Sequence, residues 1–474
     1  MKATTRIRAN LFPSIPLLFV GIAVTALHSA AGEPLGVAVA YAPSQEASEL
    51  PKGQVLDFGK APAIPTGPLK PEVKTALERA FGKNLAEEPW GEAQSEALRT
   101  LAESGDVRIA WIISDLMRIA NPNLSALLGT AAAKLMQLDL KGRNNWGITT
   151  DHLIAWDVPA PPGYLEVKRT IYTLIEEKWE RIFQPGDIDW RYVTWGGVLI
   201  DDRPFDTTDD PCNCIPAADN PPVIAAKDAE WLEDSDIVFG VEVNGEYRAY
   251  PRQIMEVREM INDTLGGRQL GIPYCTLCGS AQVYFTDDVP EGVDRPVLRT
   301  SGLLTRSNKV MYDLNTFSVF DTFRGEALSG PLAKKGVVLK QASVVTTEWG
   351  EWKKAHPETT VLIEALALGR DFDFRNGRDA NGPIFPIGGV DPRLPVQEDI
   401  VGVLKDGQAI AFHLGTALKK LKQGEEVTFE GISLVLDAGG VRAVDSKGKD
   451  LGSHQAFWFA WSQFYASTKL WPSL

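Results

Sequence analysis

Val238-Phe239-Gly240-Val241-Glu242-Val243-Asn244-Gly245-Glu246-Tyr247-Arg248-Ala249-Tyr250 and Ile400-Val401-Gly402-Val403-Leu404-Lys405-Asp406-Gly407-Gln408-Ala409-Ile410-Ala411-Phe412 share one texture at an offset of 162, with four identities in 13 positions. In each, an apolar-rich run breaks at Asn-Gly or Asp-Gly and resumes. That is the signature of a β-hairpin, because a tight hairpin turn needs positive φ at both central residues. A second pair of anchors, Trp349-Gly350-Glu351-Trp352 with Thr359 and Val361, matches Trp458-Phe459-Ala460-Trp461 with Thr468 and Leu470 at an offset of 109. These anchors predict a β-rich domain over residues 185–474 built from two unequal internal repeats, copy one about 238–362 and copy two about 400–471. The offsets differ by 53 residues, and the surplus in copy one, within Cys275–Thr347, is the stretch where function is expected to sit.

Upstream the texture is different. Leu98, Leu101, Ile109, Ile112, Ile113, Leu116, Met117 and Ile119 recur at helical spacing, Asn121-Pro122-Asn123 interrupts, and Leu124–Leu138 resumes. Residues 71–184 therefore read as an α-helical domain. Ser104-Gly105-Asp106-Val107-Arg108 before an apolar helix resembles a HEAT-like helical hairpin, but solenoids need several stacked repeats and about one unit is recognisable, which favours an ordinary helical domain. Residues 32–70, rich in Pro, Gly and Ala, read as a mobile linker. Lys2, Arg6 and Arg8 before the apolar run Leu17–Leu27 and the small residues Ser29-Ala30-Ala31 read as a signal peptide over residues 1–31. The fold class expected is thus multidomain α+β, helical first and β-rich second.

The chain has 48 Lys and Arg against 62 Asp and Glu; without residues 1–31 the balance becomes 45 against 62, a net charge of −17. Such a surface repels nucleic acid and anionic lipid. No apolar run reaches the length of a membrane span, so no stable membrane insertion is expected once the leader is cleaved. The expected location is periplasmic or extracellular, and a protein partner could meet the helical domain. No Gly-x-Ser-x-Gly elbow, His-Glu-x-x-His helix, P-loop or dinucleotide fingerprint is present, which removes the usual support for common hydrolase, metalloprotease and nucleotide-dependent classes.

All four cysteines fall in two pairs, Cys212-Asn213-Cys214 and Cys275-Thr276-Leu277-Cys278. In an exported protein they can be structural disulfides, including a bridge from Cys212 or Cys214 to Cys275 or Cys278 across some 60 residues. Cys212, Cys214, Cys275 and Cys278 can also be metal ligands, four thiolates suiting zinc and a smaller set copper. A third reading is thiol–disulfide exchange at Cys275 and Cys278, the candidate catalytic pair; Gly279–Phe285 reads as a strand, so the helix N-terminus that activates thioredoxin-like thiols is missing. Incidental free thiols are the fourth. No organic cofactor site is indicated. His152, His356, His413 and His454 are scattered without metal-type spacing. Asp371, Asp373, Asn376 and Gly377 read as a polar turn and not a calcium loop. Phe457, Trp458, Trp461 and Phe464 read as core at helical spacing, with a ligand-stacking face as the alternative, and Ser301, Arg306, Asn308 and Asp313 are the polar candidates of the surplus segment.

Tyr274-Cys275-Thr276-Leu277-Cys278-Gly279-Ser280, with Ala249-Tyr250-Pro251, Asn262-Asp263-Thr264, Gly266-Gly267, Ser301-Gly302-Leu303-Leu304, Val310-Met311-Tyr312-Asp313 and Phe457-Trp458-Phe459-Ala460-Trp461, resembles the exported prokaryotic domain-of-unknown-function 3179 family over roughly residues 190–474. The resemblance implies no activity. It does mark one departure: Val257-Arg258-Glu259 stands where the family pattern suggests Trp-His-Glu. A histidine there could bind metal or move protons; Arg258, always protonated and without a free lone pair, can do neither. Two hypotheses follow. One is an exported thiol-based metal-binding or redox protein using Cys275 and Cys278, with Cys212 and Cys214 as further ligands or as the resolving pair. The other is a non-catalytic binding or scaffold module held by structural disulfides.

Overall fold

The computed structural model describes residues 50–140, 144–207, 212–364 and 382–473. The proposed leader, the first part of the expected linker and the Asp371–Gly377 turn lie outside them.

The expected helices form. Pro71–Phe81, Glu92–Glu103, Ala110–Ile119, Pro122–Met136, Asn145–Ala155 and Tyr164–Thr173 each bury an apolar face. Asn121 caps the fourth through Leu124 N, with Pro122 in the first turn where its missing N–H costs nothing. The Ser104–Arg108 phrase is a turn device: Gly105 takes φ +70°, Asp106 accepts from Arg108 N, and its carboxylate holds the Arg108 guanidinium at 2.9 and 2.7 Å. The same guanidinium donates to the Gly67 carbonyl. Trp156 Nε1 reaches the Phe58 and Gly59 carbonyls and Gly53 N donates to Pro392 O, so residues 50–70 are extended and fastened to the body rather than hanging free.

The β-rich part corrects the sequence reading. Two unequal copies do not account for it: the strands divide into five separate sheets, the arrangement of a five-bladed propeller. The first runs Val193–Trp195, Leu298–Thr305, Asn308–Asp313, Val319–Asp321. The second runs Lys340–Ala342, Val283–Phe285, Arg268–Cys275, Met260–Leu265, Ala218–Asp219, with Ser280–Ala281 paired to Arg268–Cys275. The third is Val345–Glu348, Ile237–Val243, Glu246–Pro251, Thr360–Leu362, Val223–Ala225, and the fourth His454–Phe457, Asp399–Lys405, Gln408–His413, Lys469–Trp471. The fifth is Val427–Phe429, Ile432–Asp437, Gly440–Val444.

The matched anchors mark only the third and fourth sheets. Each is a hairpin flanked by one antiparallel and one parallel strand. In each a tryptophan lies on the hairpin's glycine, Trp352 on Gly240 and Trp461 on Gly402, so closely that a Cβ on the glycine would overlap the ring. The indole N–H then donates to Thr359 Oγ1 at 2.9 Å or Thr468 Oγ1 at 2.8 Å. The first, second and fifth sheets fall outside this correspondence, which is why a two-copy division fails.

The largest apolar core runs from Val73 to Val319 and joins the helices to the first sheet. Within it Lys168, fully buried, meets Asp115 at 2.6 Å while Tyr164 donates to the same carboxylate at 2.8 Å. A second core gathers Leu50, Cys275, Cys278, Phe323, Leu394, Phe457, Trp458 and Trp461, so the Cys-x-x-Cys turn lies where the second sheet meets the fourth. Phe457 N donates to the Cys278 carbonyl at 2.9 Å across that junction.

Candidate functional site: a buried dithiol

Cys275 ends the Arg268–Cys275 strand, and the chain turns at once into Ser280–Ala281. Cys278 N donates to the Cys275 carbonyl at 3.2 Å. Gly279 sits at φ +59° with the Phe457 ring where a Cβ would lie, so a larger residue is disfavoured by both backbone and space. This tight turn leaves the Cys275 and Cys278 sulfurs 3.1 Å apart, unbonded and hydrogen-bonded to each other. They are 2% and 0% exposed.

A second hairpin closes over them. Its turn, Arg306-Ser307, takes φ +46° and +67°, values that usually select Gly, Asn or Asp. The Ser307 carbonyl lies 3.5 Å from Cys278 Sγ and 3.9 Å from Cys275 Sγ, and Asn308 Oδ1 lies 3.3 Å from Cys278 Sγ. Lys309 follows, its ammonium 2.5 Å from Glu259 Oε2 and 2.9 Å from the Glu259 carbonyl. Thr276 Oγ1 donates to Glu259 Oε1 at 3.2 Å. Glu259 itself, in the left-handed conformation after the Arg252–Arg258 helix, accepts Tyr274 N through its carbonyl. Helix end, Cys-x-x-Cys turn and covering hairpin are thereby tied to one carboxylate.

The two thiols are unlike. Burial pushes Cys275 up and the Glu259 carboxylate adds to it, but the hydrogen bond with Cys278, together with the Lys309 charge and the Lys309 amide, outweighs both and leaves it below the ordinary thiol value. Burial, reinforced by the neighbouring Cys275 sulfur, pushes Cys278 well above it. Cys275 is therefore the more acidic of the two sulfurs and Cys278 the one that holds its proton more tightly. No helix N-terminus takes part; hydrogen bonds and Lys309 replace it.

Cys212 and Cys214 are joined to each other by a disulfide, so the long bridge to Cys275 or Cys278 is corrected: the nearby pair is bonded and the second pair is free. Among the described residues, the one group of three or more ligating side chains whose atoms all lie within 4.8 Å is Asp201, Cys212 and Cys214. The four sulfurs do not form such a group. A candidate metal-coordinating cluster therefore exists at Asp201, but its donors are committed: the sulfurs are bonded, and Arg203 holds both carboxylate oxygens at 2.7 and 2.8 Å while Ala217 N donates at 2.8 Å. Zinc or copper does not fit there in this state. One bonded pair and one pair at near-disulfide distance are compatible with redox or structural use of the thiols.

The remaining candidates separate cleanly. Of the surplus-segment residues only Asn308 reaches the thiols. Ser301 Oγ donates to Val310 O, Asp313 accepts from Val297 and Thr316, and Arg306 stacks on Tyr192 at 3.9 Å. Phe457, Trp458 and Trp461 are core at 2% exposure or less, while Phe464 is half-buried against Phe323. His152 packs between Phe58 and Trp156, His356 and His413 pair with Asp437 and Glu398, and His454 lies between Gln282 and Gln341. Arg258 is buried and paired with Glu364, so the position carries a fixed charge. Sequence reasoning missed Glu259, Ser307 and Lys309. The run Arg306–Lys309 lies in the surplus segment, but nothing in its residue types announces a turn aimed at sulfur.

No curated protein and no solved structure matches the chain. A family model does, over residues 212–449, half of the chain, and that stretch holds both cysteine pairs, Glu259 and the covering hairpin. On that match the chain belongs to the family described as protein of unknown function (DUF3179).

Proposed function

We propose that this is an exported thiol redox protein whose working group is the Cys275–Cys278 dithiol, cycling between two thiols and a disulfide. The carrying observation is the sulfur pair itself: 3.1 Å apart, unbonded, and held by a hairpin whose Ser307 carbonyl and Asn308 carboxamide face the sulfurs. Oxidation removes two electrons and two protons from the pair and forms one S–S bond. Lys309 favours the thiolate at Cys275, and the Cys278 thiol supplies the proton that leaves with the second sulfur. Among the described residues no third ligating side chain groups with these two sulfurs, which favours thiol chemistry over capture of a zinc or copper cation. Export is supported by the leader-like residues 1–31 and by a Cys212–Cys214 disulfide that a reducing compartment would open. No helix among the described residues is long and apolar enough to cross a membrane.

The test is to equilibrate the full chain in dithiothreitol redox buffers and mass-tag the remaining thiols, with metal content measured on the same sample. With Cys212 and Cys214 both replaced by serine, a single two-electron transition with a midpoint above roughly −300 mV, where exchangeable pairs lie, is expected; it should vanish when Cys275→Ser or Cys278→Ser is added. Stoichiometric zinc or copper lost in those variants would overturn the redox reading, and thiols that never pair would return the protein to the scaffold reading.

A further inference from the structure

The burial of the dithiol restricts its oxidant. Attack on a disulfide requires the incoming sulfur, the attacked sulfur and the departing sulfur to line up, which needs open space beyond Cys275. Leu50, Phe323, Ile387, Leu394 and Phe457 pack around the pair instead. A residue-sized or glutathione-sized disulfide has no line of approach to sulfurs 2% and 0% exposed. An oxidant that reaches them has to be of only a few atoms.

The polar lining points the same way. Ser280 Oγ, Ser307 Oγ and Asn308 Nδ2 are buried without a protein partner among the described residues, on three residues each 0% exposed. Buried donors left unpaired are costly and need a reason. Ser280 stands directly opposite Cys275 in the antiparallel register, so their side chains share a face. Asn308 touches Cys278 Sγ through Oδ1, which places its unpartnered Nδ2 at the other end of the same small group. Thiolate on one side and spare hydrogen-bond donors on the other suit a guest whose oxygens gain negative charge during the reaction.

We infer that the oxidant of the Cys275–Cys278 pair is a small hydroperoxide, with Ser280 and Asn308 as positioning residues for its departing oxygen; this rests on the dithiol reading above. The Cys275 thiolate gives an electron pair to the near oxygen, forming an S–O bond as the O–O bond breaks. The departing oxygen, held by the spare donors, takes a proton from solvent and leaves as water or an alcohol. Cys278 sulfur then attacks Cys275 sulfur, forming S–S and breaking S–O, and the released hydroxide leaves as water with the Cys278 proton. Two thiols lose two electrons and the peroxide gains them.

The experiment uses the full chain with Cys212 and Cys214 replaced by serine, chemically reduced and mixed with hydrogen peroxide, cumene hydroperoxide or oxidised glutathione at equal concentration. Disulfide formation is timed by mass-tagging the remaining thiols. Hydrogen peroxide should close the pair at least about ten-fold faster than oxidised glutathione, with cumene hydroperoxide slower than hydrogen peroxide. Asn308→Ala and Ser280→Ala should each slow the peroxide reaction by about ten-fold or more, the cost of one hydrogen bond to a charged group. Ser280→Ala should leave the melting temperature unchanged, because its hydroxyl has no folded-state partner to lose, whereas Asn308→Ala gives up the contact with Cys278 Sγ and should lower it somewhat. Glutathione as fast as peroxide, or rates unmoved in both variants, overturns the inference while leaving the dithiol reading intact. A pair that neither oxidant closes, and that stays reduced at equilibrium in dithiothreitol buffers, overturns both.

Discussion

Lys309 and Glu259 can be separated by experiment into a structural and a chemical contribution, because the two charges act alike on the fold and oppositely on the thiol. Their side chains are 4% and 13% exposed and meet at 2.5 Å. Lys309→Met leaves the Glu259 carboxylate buried with Thr276 as its remaining side-chain donor, the situation in which removal of one partner costs about 3–5 kcal/mol. Glu259→Gln is milder, about 1.5–3 kcal/mol, because the amide oxygen and the Glu259 main-chain carbonyl still accept from the ammonium. The double variant should lose less than the two single losses together, since neither charge is then stranded. On Cys275 the signs diverge: Lys309 lowers its pKa and Glu259 raises it. Lys309→Met should therefore move the thiol titration up and reduce thiolate at neutral pH, whereas Glu259→Gln should move it down and increase thiolate. Urea denaturation measures the first effect. The pH dependence of ultraviolet thiolate absorbance, taken as a difference from Cys275→Ser, measures the second without requiring a reagent to reach the sulfur. Titrations that shift in the same direction in both variants would refute the electrostatic assignment, and additive stability losses would refute the pairing.

Three more predictions concern the frame around the site. His454 is buried and held at a pKa of about 3; the unfolded chain takes up its proton near 6.5, so stability is full above that value and falls as pH drops through the window toward 3, by roughly 5 kcal/mol in all. Acid denaturation of His454→Gln should show a shallower slope there, and an unchanged slope would remove His454 from the account. Gly240→Ala and Gly402→Ala each drive a methyl into a fully packed tryptophan and should cost about 1–3 kcal/mol in thermal or urea unfolding; wild-type stability in both would show that the rings yield freely. Opening the Cys212–Cys214 bond with the double serine variant should cost only about 1.5 kcal/mol, because the closed loop is three residues long and constrains little of the unfolded chain. A loss several times larger would mean that the bond also holds the Asp201–Arg203 pair.

The hairpins were legible because their signal is local. Asn244-Gly245 and Asp406-Gly407 carry the positive φ values a tight turn demands, and the sequence names them directly. Trp352 and Trp461 were legible as anchors because their partners, Gly240 and Gly402, lie inside the same matched stretches. The five sheets were not. Their strands pair across separations that no period records: Val193–Trp195 joins Leu298–Thr305, and Ala218–Asp219 joins Met260–Leu265 in parallel. A repeat visible in two sheets was extended to a whole domain because the other three leave no internal echo.

The same limit applies to the site, and it explains why cysteine spacing alone left four readings open. Cys-x-x-Cys-Gly fixes that two sulfurs come close, yet a disulfide, a metal pair and a redox pair all require that. What separates them is the matter around the sulfurs. A structural disulfide needs only apolar packing, and a metal pair needs further donors of neutral or negative charge. Here Lys309 and the Ser307–Asn308 turn come from a different sheet, some 30 residues downstream, and Glu259 comes from the end of a preceding helix. Each arrives through long-range pairing, and together they bring an ion pair and unspent hydrogen-bond donors to a buried sulfur pair. That lining is what the dithiol proposal rests on. The motif therefore states where chemistry is possible, while the fold makes the two sulfurs unlike: the hydrogen bond with Cys278, and the Lys309 charge and amide set against the Glu259 carboxylate, leave Cys275 the more acidic of the pair.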